Sequence, residues 1–510
     1  MKKQNVIIIN VIMALFFAIL FYKNYVGLNL FLFEAVAIPI MFYINRPIKL
    51  NFFSGTILGT VILSAIMVVL LNTSWSIFIN IVMLFVLSGV LAYSGFRSFV
   101  HAFLESFLRL FSSQFSIFIP WSNEKKPIIT SESKNSISLS KVLYFIIIPV
   151  AIVILFLIIY ASASSVFYRQ FEEVFKAIGD FLRSIDYLFV VMLIFGLVVG
   201  NALFMKTPSV GLCKNDIYSH DILLRKKTRH FFPFKVNGLK MQYLSGVILL
   251  ISLNVLILYF NILDFIYLWF GFKWDGSFLK EFVHEGTWLL VFSVFLSAAI
   301  ALFFFKGNLN FFSKNKWLKR LVIMWIAQNM IMVVSVMLRN YWYINYFGLA
   351  YKRIAVLFFL LLTIVGLITI IIKILNKKSS YYLWRVNGLA LVFVLALTTC
   401  VNWDLHIARF NFKHYDRALI DFGFLARLNN SALPYTYKSL AELEEINSVQ
   451  EKAMPFDIHQ DYLWDIYLYE LEVFMKVEKF QQRYSHMNWL EWNLADYQTY
   501  KKMKKLKQIE

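Results

Sequence analysis

The chain has 510 residues, of which 60% are hydrophobic and 16% are charged, and its net charge is +20. Soluble domains contain roughly 25% charged residues, so this composition excludes an ordinary water-soluble globular protein. The positive charge does not indicate a nucleic-acid-binding protein, because residues 1–403 hold 36 Lys and Arg against 14 Asp and Glu, whereas residues 404–510 hold 14 against 16. The excess therefore lies in the connections between apolar segments, where it controls membrane topology and meets anionic lipid headgroups.

Eleven apolar segments have the length or nearly the length that a helix needs to cross a bilayer, which is roughly 20 residues. We interpret the first as an uncleaved helix, because no small-residue cleavage site follows it. The segments predict an all-α polytopic transmembrane bundle. They are 5–22, 27–44, 52–71, 75–94, 142–160, 187–205, 243–270, 284–305, 319–338, 354–375 and 386–403.

Lys and Arg are distributed unequally between alternate connections. With a cytoplasmic N-terminus, the inner connections hold 27 of these residues and the outer connections hold 9. This bias follows the positive-inside rule and predicts a cytoplasmic N-terminus in a bacterial inner membrane. An odd number of spans then places the C-terminal region outside the cytoplasm.

Two connections have the pattern of amphipathic interfacial helices. In "RSFVHAFLESFLRLFSSQF" the phenylalanines recur every four residues from Phe99 to Phe115, and we expect His101, Glu105 and Arg109 to point away from the membrane. "FEEVFKAIGDFLRSIDYLF" repeats the pattern on the outer side. The basic cluster "RKKTRH" (225–230) predicts contact with anionic lipid headgroups at the cytoplasmic face.

The region after Trp403 has mixed charge and apolar residues at helical spacing, which predicts an extramembrane helical domain. Its exposed surface is the expected binding site for a protein partner. The predicted organisation is 1–94, a four-span region; 95–141, a cytoplasmic loop with an amphipathic helix; 142–403, a seven-span core; and 404–510, the C-terminal helical domain.

Ionisable residues inside or at the ends of spans are the candidate site residues, because a charge in the hydrocarbon core is unfavourable by several kcal/mol unless it is paired or hydrated. Most of them fall toward the outer side, whereas Gln328 and Asn329 lie near the midplane. Arg339 is expected to end the ninth span and to pair with Asp264 or Glu285. The candidates are Glu34, Asp264, His284, Glu285, Arg339 and Asp404.

Two interpretations of these residues stay open. They can form a polar pocket that opens outward beneath the C-terminal domain, or they can be polar helix ends with structural ion pairs. "FVHEGTWLL" (282–290) contains adjacent His and Glu but no HExxH motif, so no metal site is predicted. Phosphate-binding loops and nucleophile elbows are absent from the sequence, and no cofactor is predicted.

Four motifs, in order, resemble an uncharacterised bacterial membrane family, domain of unknown function 4173, also filed under 4153. They are "FVHEGTW" (282–288), "LRNYWYINYFGLAYKRIAVL" (338–357), "NWDLHIARFN" (402–411) and "LIDFGFLARLNNSALPYT" (419–436). The resemblance covers roughly 180–440. It implies a polytopic inner-membrane protein with a C-terminal extramembrane helical segment, and it implies no activity, cofactor or catalytic residue.

The sequence favours a non-enzymatic role in transport, envelope assembly, scaffolding or sensing. The alternative is a membrane-embedded enzyme that acts on a lipid or envelope substrate at the outer-leaflet side with His284, Glu285 and Arg339. That alternative requires the three side chains to converge on a cavity.

Overall fold

The fold is that of a computed structural model. It describes residues 3–116, 186–225, 238–270, 278–453 and 465–506, apart from 47, 94, 206, 208–210 and 306, together with isolated positions between 149 and 176. For residues 238–239, 278–288 and 308 it describes the backbone alone.

The described part of the chain is built from α-helices, which confirms the all-α class. A turn of π-helix, Phe265–Phe270, directly follows the helix Gly238–Asp264. In chain order the helices are α1 (Lys3–Phe21), α2 (Leu28–Ile44), α3 (Phe52–Leu71), α4 (Ser74–Ala92), α5 (Phe99–Ser112), α6 (Tyr187–Phe204), α7 (Leu212–Tyr218), α8 (Gly238–Asp264), α9 (Phe278–Phe304), α10 (Lys316–Phe347), α11 (Tyr351–Leu375), α12 (Ser380–Thr399), α13 (Trp403–Lys413), α14 (Phe422–Ala426), α15 (Leu433–Thr436), α16 (Leu440–Ala453), α17 (Ile466–Ser485) and α18 (Leu494–Leu506).

Eight helices within the described residues are long and apolar enough to cross a membrane: α1, α3, α4, α6, α8, α10, α11 and α12. Two more apolar segments, α2 and Leu289–Phe304 of α9, are shorter. These ten match ten of the eleven predicted segments. The fifth, 142–160, lies mostly outside the described residues, as do the second amphipathic segment and most of the 225–230 basic cluster.

Helix α10 is longer than the sequence pattern predicts, because it runs for 32 residues to Phe347. Arg339 was expected to end this span and lies inside the helix instead. The segment after Arg339 is polar and aromatic, yet it continues the helix until Gly348, whose φ of 74° is favourable for glycine. The expected outer loop 339–353 is thus mostly helix, and only Gly348–Ala350 separates α10 from α11.

The chain forms two compact units, 1–23 with 112–208 and 24–111 with 209–510. In the first unit, α1 packs on α6, and Asn10 Nδ2 donates to Asn201 Oδ1 over 2.8 Å. A Cβ at Gly200 would lie 1.8 Å from Asn10 Oδ1, so glycine is required where these two helices meet. Outside the spans, Tyr22 and Lys23 donate to Asp186.

The described residues of the second unit include two apolar cores. One lies between α8, α9, α10 and α11 and includes Leu250, Val294, Val322 and Leu367. The other joins α13 to the C-terminal helices α14–α18 and includes Leu425 and Tyr469. The C-terminal helices therefore pack around an apolar core that also includes Ile354 near the start of α11.

The C-terminal helices contact several loops at one end of the second unit. Leu28 N donates to Trp492 O over 3.0 Å, Leu419 N donates to Tyr346 O over 2.8 Å, and Asn429 Nδ2 donates to Asn72 O over 3.4 Å. The start of α2, the end of α3 and the end of α10 hence share one end of the bundle. At other connections of this unit, the segments after α7 and α11 pair with each other: Leu223 N donates to Lys377 O over 2.9 Å, and Ser379 N donates to Asp221 O over 2.8 Å.

Helix α5 is amphipathic as predicted and exposes its apolar face, but its charged face is covered by protein instead of water. Phe103, Phe107 and Phe111 are exposed, whereas Glu105 and Arg109 are each only 2% exposed. The charged face turns into the protein, where Arg109 Nη1 donates to Ser88 Oγ of α4 over 3.1 Å. Periodicity identifies the two faces but does not say which one meets the protein, and in a membrane the apolar face is the outer one.

Candidate functional site

The structure brings together two of the six candidate residues, Asp264 and Arg339. Arg339 Nη2 donates to Asp264 Oδ1 over 2.5 Å, and the side chains are 5% and 8% exposed. Of the two carboxylates expected as partners of Arg339, Asp264 therefore makes the contact. Enclosed among apolar helices, the pair satisfies the rule that intramembrane charges are compensated.

This ion pair continues a row of polar contacts between α8 and α10. Gln328 Nε2 donates to Asn254 Oδ1 over 2.8 Å, and Asn261 Nδ2 donates to Gln328 O over 3.1 Å. Residue numbers rise together in these pairs, so α8 and α10 run parallel, as expected when a single span separates them. We call this row the α8–α10 polar seam, and it consists of Asn254, Asn261, Asp264, Gln328 and Arg339.

Glu34 lies elsewhere, in a cluster formed by α2, α3 and α4. Its Oε2 accepts a hydrogen bond from Asn80 Nδ2 over 3.3 Å, and the same amide donates to Ser64 Oγ over 3.1 Å. All three side chains are buried. Among the described residues Glu34 meets no basic side chain, so this cluster differs from the seam in having a carboxyl group with only amide and hydroxyl neighbours.

His284 and Glu285 lie on α9, at the start of the predicted span 284–305. Their side chains lie outside the described residues. Their proposed convergence with Arg339 stays a prediction.

Asp404 is held by two other segments of the chain. Its Oδ1 accepts hydrogen bonds from Tyr351 Oη and, over 2.8 Å, from Asn429 N. Tyr351 begins α11, Asp404 lies in the first turn of α13, and Asn429 precedes α15. A carboxylate in the first turn of a helix is also favoured by the helix dipole. We call this arrangement the Asp404 hub, consisting of Tyr351, Asp404 and Asn429.

The segments that carry the family resemblance meet at this hub. Asn411 donates through Nδ2 to Leu349 O over 3.0 Å and accepts from Leu349 N over 2.6 Å, which fixes the turn between α10 and α11. A Cβ at Gly348 would lie 2.5 Å from Asn411 Oδ1. Ser431 Oγ donates to Asn402 Oδ1 over 3.2 Å. Three of the four motifs thus form one structural centre, whereas the side chains of the fourth are not described.

Lys476 of α17 adds a partly buried cation near the hub. Its ammonium donates to Leu428 O and, over 2.9 Å, to Ala426 O. Burial lowers the pKa of Lys476, and the neighbouring Asp404 and Glu472 carboxylates oppose that change. The hub is therefore joined to the C-terminal core by charge as well as by packing.

A groove of about 600 Å³ lies beside the hub, between α4, α11 and α12. Its walls are mostly apolar and include Phe78, Phe358, Leu362 and Leu391. One end is polar, since Asp404 lines it together with Thr73, Thr398 and Trp403. Two indole groups fix that end, because Trp75 Nε1 donates to Thr398 Oγ1 and Trp403 Nε1 donates to Thr398 O, each over 3.0 Å.

Sequence reasoning missed most partners of the candidate residues. Asn80, Asn254 and Asn261 are amides inside apolar spans, and that position is a usable signal for a buried interhelical contact. Tyr351 and Asn429 carried no such signal, because aromatic and amide residues are ordinary near helix ends. Among the candidates whose side chains are described, Glu34, the Asp264–Arg339 pair and Asp404 lie in three separate surroundings.

Groups of three or more His, Cys, Asp or Glu residues arranged to hold a metal ion do not occur among the described residues. On the C-terminal region, α17 exposes Tyr467, Leu468 and Leu471. This apolar surface fits the expected partner surface, and the partner itself stays a prediction.

Comparison with known families identifies residues 58–439 as a match to one family model, described as "Domain of unknown function (DUF4153)". The match begins earlier than the resemblance at roughly 180 suggested, so it includes most of α3 and all of α4. The number 4173, under which the resemblance was first named, is not confirmed. No curated protein and no solved structure matches the chain. Because the matched region spans well over half of the 510 residues, the protein belongs to the DUF4153 family, whose members share a domain of unknown function.

Proposed function

We propose that this integral membrane protein is a non-enzymatic lipid-binding protein of a bacterial cytoplasmic membrane. A single lipid enters sideways from the bilayer, its acyl chain lies in the groove between α4, α11 and α12, and its polar part meets the Asp404 hub. Lipid binding would serve the broader role in transport or envelope assembly that the sequence favours.

The observation that carries this proposal is the groove itself. Its volume of about 600 Å³ falls in the range of roughly 300–1,000 Å³ that small-molecule sites occupy. The walls belong to three helices that are apolar and long enough to span a membrane, so the surrounding solvent is hydrocarbon. An acyl chain is the ligand that such a wall selects.

The polar end of the groove supports an amphiphilic ligand over a purely apolar one. Thr73, Trp403 and Asp404 line this end, and Asp404 is already positioned by Tyr351 and Asn429. Indole and hydroxyl groups suit the depth at which headgroups begin. Hydrogen-bond donors on a lipid headgroup, such as hydroxyls or an amine, are the complementary groups for the Asp404 carboxylate.

The orientation in the membrane is part of the proposal. The bias of Lys and Arg toward one set of connections supports a cytoplasmic N-terminus. The contacts of the C-terminal helices with the start of α2 and the end of α3 support an extracytoplasmic C-terminal region. The polar end of the groove would then lie in the outer leaflet.

A groove-filling variant tests the lipid site. Ala355→Trp places an indole in the groove lining, and we expect roughly tenfold less co-purified lipid, since the ring occupies the space of the acyl chain. Native mass spectrometry of the full-length protein, released from nanodiscs, measures the retained lipid. Photo-crosslinking with a lipid that carries a diazirine on its acyl chain then maps the contact to α4, α11 or α12.

Leu361→Trp is the matched control, because Leu361 is an exposed apolar residue of the same helix α11 and does not line the groove. The control should keep the lipid. Equal lipid retention in the two variants, or crosslinks spread evenly over all spans, would contradict the proposal.

The alternative enzymatic function rests on His284, Glu285 and Arg339. The pairing of Arg339 with Asp264 supports a structural role for this arginine. The variants His284→Ala and Glu285→Gln test the alternative, which requires both to abolish turnover of a lipid substrate while leaving lipid binding in the groove unchanged.

A further inference from the structure

A second cavity lies at the same end of the bundle, on the other side of the segment that precedes α13. Its volume is about 280 Å³, and it is enclosed by the end of α3, the turn between α12 and α13, and α18 of the C-terminal region. Its polar lining residues are Cys400, Asn402, His406, Ser431, Gln498, Thr499 and Lys502. We call it the α18 pocket, and it is independent of the groove.

The ionisable groups of this lining favour an anion. His406 and Lys502 are basic, and the described lining contains no carboxylate. The nearest acidic residues on α13 and α18 make other contacts. Asp404 of α13 accepts hydrogen bonds within the hub, and Asp496 of α18 accepts from Arg483 Nη2 over 2.5 Å. Helix α18 also carries Lys501, Lys504 and Lys505, so the positive potential extends along it.

Buried polar groups in the pocket are available as hydrogen-bond donors. Asn402 uses Oδ1 to accept from Leu405 N and from Ser431 Oγ, each over 3.2 Å, so its Nδ2 remains the donor toward the pocket. Thr499 is 3% exposed, and its hydroxyl forms no hydrogen bond with the residues that the structure describes. Donors at a buried position next to two basic side chains are the arrangement that binds an oxyanion.

We propose that the α18 pocket binds a phosphate group. Lys502 supplies the charge, and His406, Asn402 and Thr499 supply the donors that orient the oxygens. Leu70 and Leu71, at the end of the span α3, also line the pocket, which places it at the depth of lipid headgroups. The phosphate belongs either to a phospholipid headgroup or to a free phosphate compound, and the two share this chemistry.

Cys400 provides a reporter inside the pocket. The chain has two cysteines; Cys400 is exposed and lines the pocket, whereas Cys213 is buried. Burial raises the pKa of Cys213 to about 11, so its thiolate is scarce near neutral pH. A maleimide therefore reacts first at Cys400, and a bound phosphate slows that reaction.

The experiment measures the rate of Cys400 alkylation in the full-length protein in detergent, with Cys213→Ala as the background. Inorganic phosphate against chloride at equal ionic strength tests the free anion. Short-chain phosphatidylglycerol against the matched diacylglycerol tests the headgroup. We expect saturable protection by one or both phosphates, and protection by neither would overturn the proposal.

Variants decide whether the named side chains bind the phosphate. Lys502→Gln and His406→Gln should each weaken protection about tenfold, the effect of removing one hydrogen bond to a charged group. Lys505→Gln is the matched control, since Lys505 is an exposed residue of the same helix outside the lining, and it should keep protection. Equal protection in Lys502→Gln and Lys505→Gln would contradict the assignment, and an unchanged melting temperature shows that the variants are folded.

Discussion

The α8–α10 polar seam and the Glu34 cluster both place a carboxyl group inside the spans, but they compensate it differently. In the seam, Asp264 faces the guanidinium of Arg339 over 2.5 Å. In the cluster, Glu34 has Asn80 as its hydrogen-bond donor over 3.3 Å, and the described surroundings hold no cation. The stability contributed by a charged pair requires both members, because each one alone would be a buried, uncompensated charge. The stability of a carboxyl group among amides depends only on its hydrogen bonds and its packing.

The largest expected effect is the loss of one member of the ion pair. Asp264→Asn keeps the shape of the side chain but removes the negative charge that faces the buried Arg339 guanidinium. We expect a destabilisation of about 3–5 kcal/mol, as for other broken buried pairs. Steric trapping in bicelles measures the free energy of unfolding.

The double variant Asp264→Leu, Arg339→Met gives the internal control for this prediction. Replacing both charges with apolar residues of similar size should recover much of the lost stability. The single variants Asp264→Leu and Arg339→Met complete the cycle, and a double variant whose loss of stability equals the sum of these two losses would show that the two residues do not act as a pair.

The uncharged hydrogen bonds of the same seam should contribute less to the free energy of unfolding than the ion pair does. Gln328→Leu removes the hydrogen bond to Asn254 Oδ1, which is 2.8 Å long, while the apolar packing of the helix is kept. Interhelical hydrogen bonds in membranes contribute about 0.6 kcal/mol on average and up to about 1.7, so we expect a destabilisation of about 1 kcal/mol. A change as large as that of Asp264→Asn would remove the distinction between charged and uncharged contacts in the seam.

The smallest expected effect is that of Glu34→Gln, which is the same carboxyl-to-amide change as Asp264→Asn. The introduced amide would keep an acceptor for Asn80 Nδ2, and its own nitrogen can donate to Asn80 Oδ1, which has no hydrogen-bond partner among the described residues. We expect stability within about 0.5 kcal/mol of the natural protein, because no charge pair is lost. The unfolding assay used for Asp264→Asn gives the direct comparison, and a loss of several kcal/mol here would reveal a hidden cation partner of Glu34.

The spans and the ion pair could be predicted from the sequence for physical reasons. Hydrocarbon thickness fixes span length, so hydropathy located α3, α4 and α11 to within a few residues. The high cost of an intramembrane charge made Asp264 an expected partner of Arg339. The hub could not be predicted, because Tyr351, Asp404 and Asn429 are far apart in the chain and each is a residue type that is common at helix ends. The groove could not be predicted either, because the sequence of its walls resembles that of any other apolar span surface.

Helix α5 constrains the order in which the chain can assemble. Its charged face is covered by α4, and Ser106 Oγ donates to Val86 O over 3.4 Å, so α5 can take its final position only after α4 has entered the membrane. The first turn of α5 reaches its final contacts later, because His101 Nδ1 lies 3.4 Å from Asp216 Oδ1 and Asp216 is synthesised more than a hundred residues after His101. During translation α5 therefore has a half-covered state, with its charged face packed on α4 and its first turn without Asp216 until residue 216 has been synthesised.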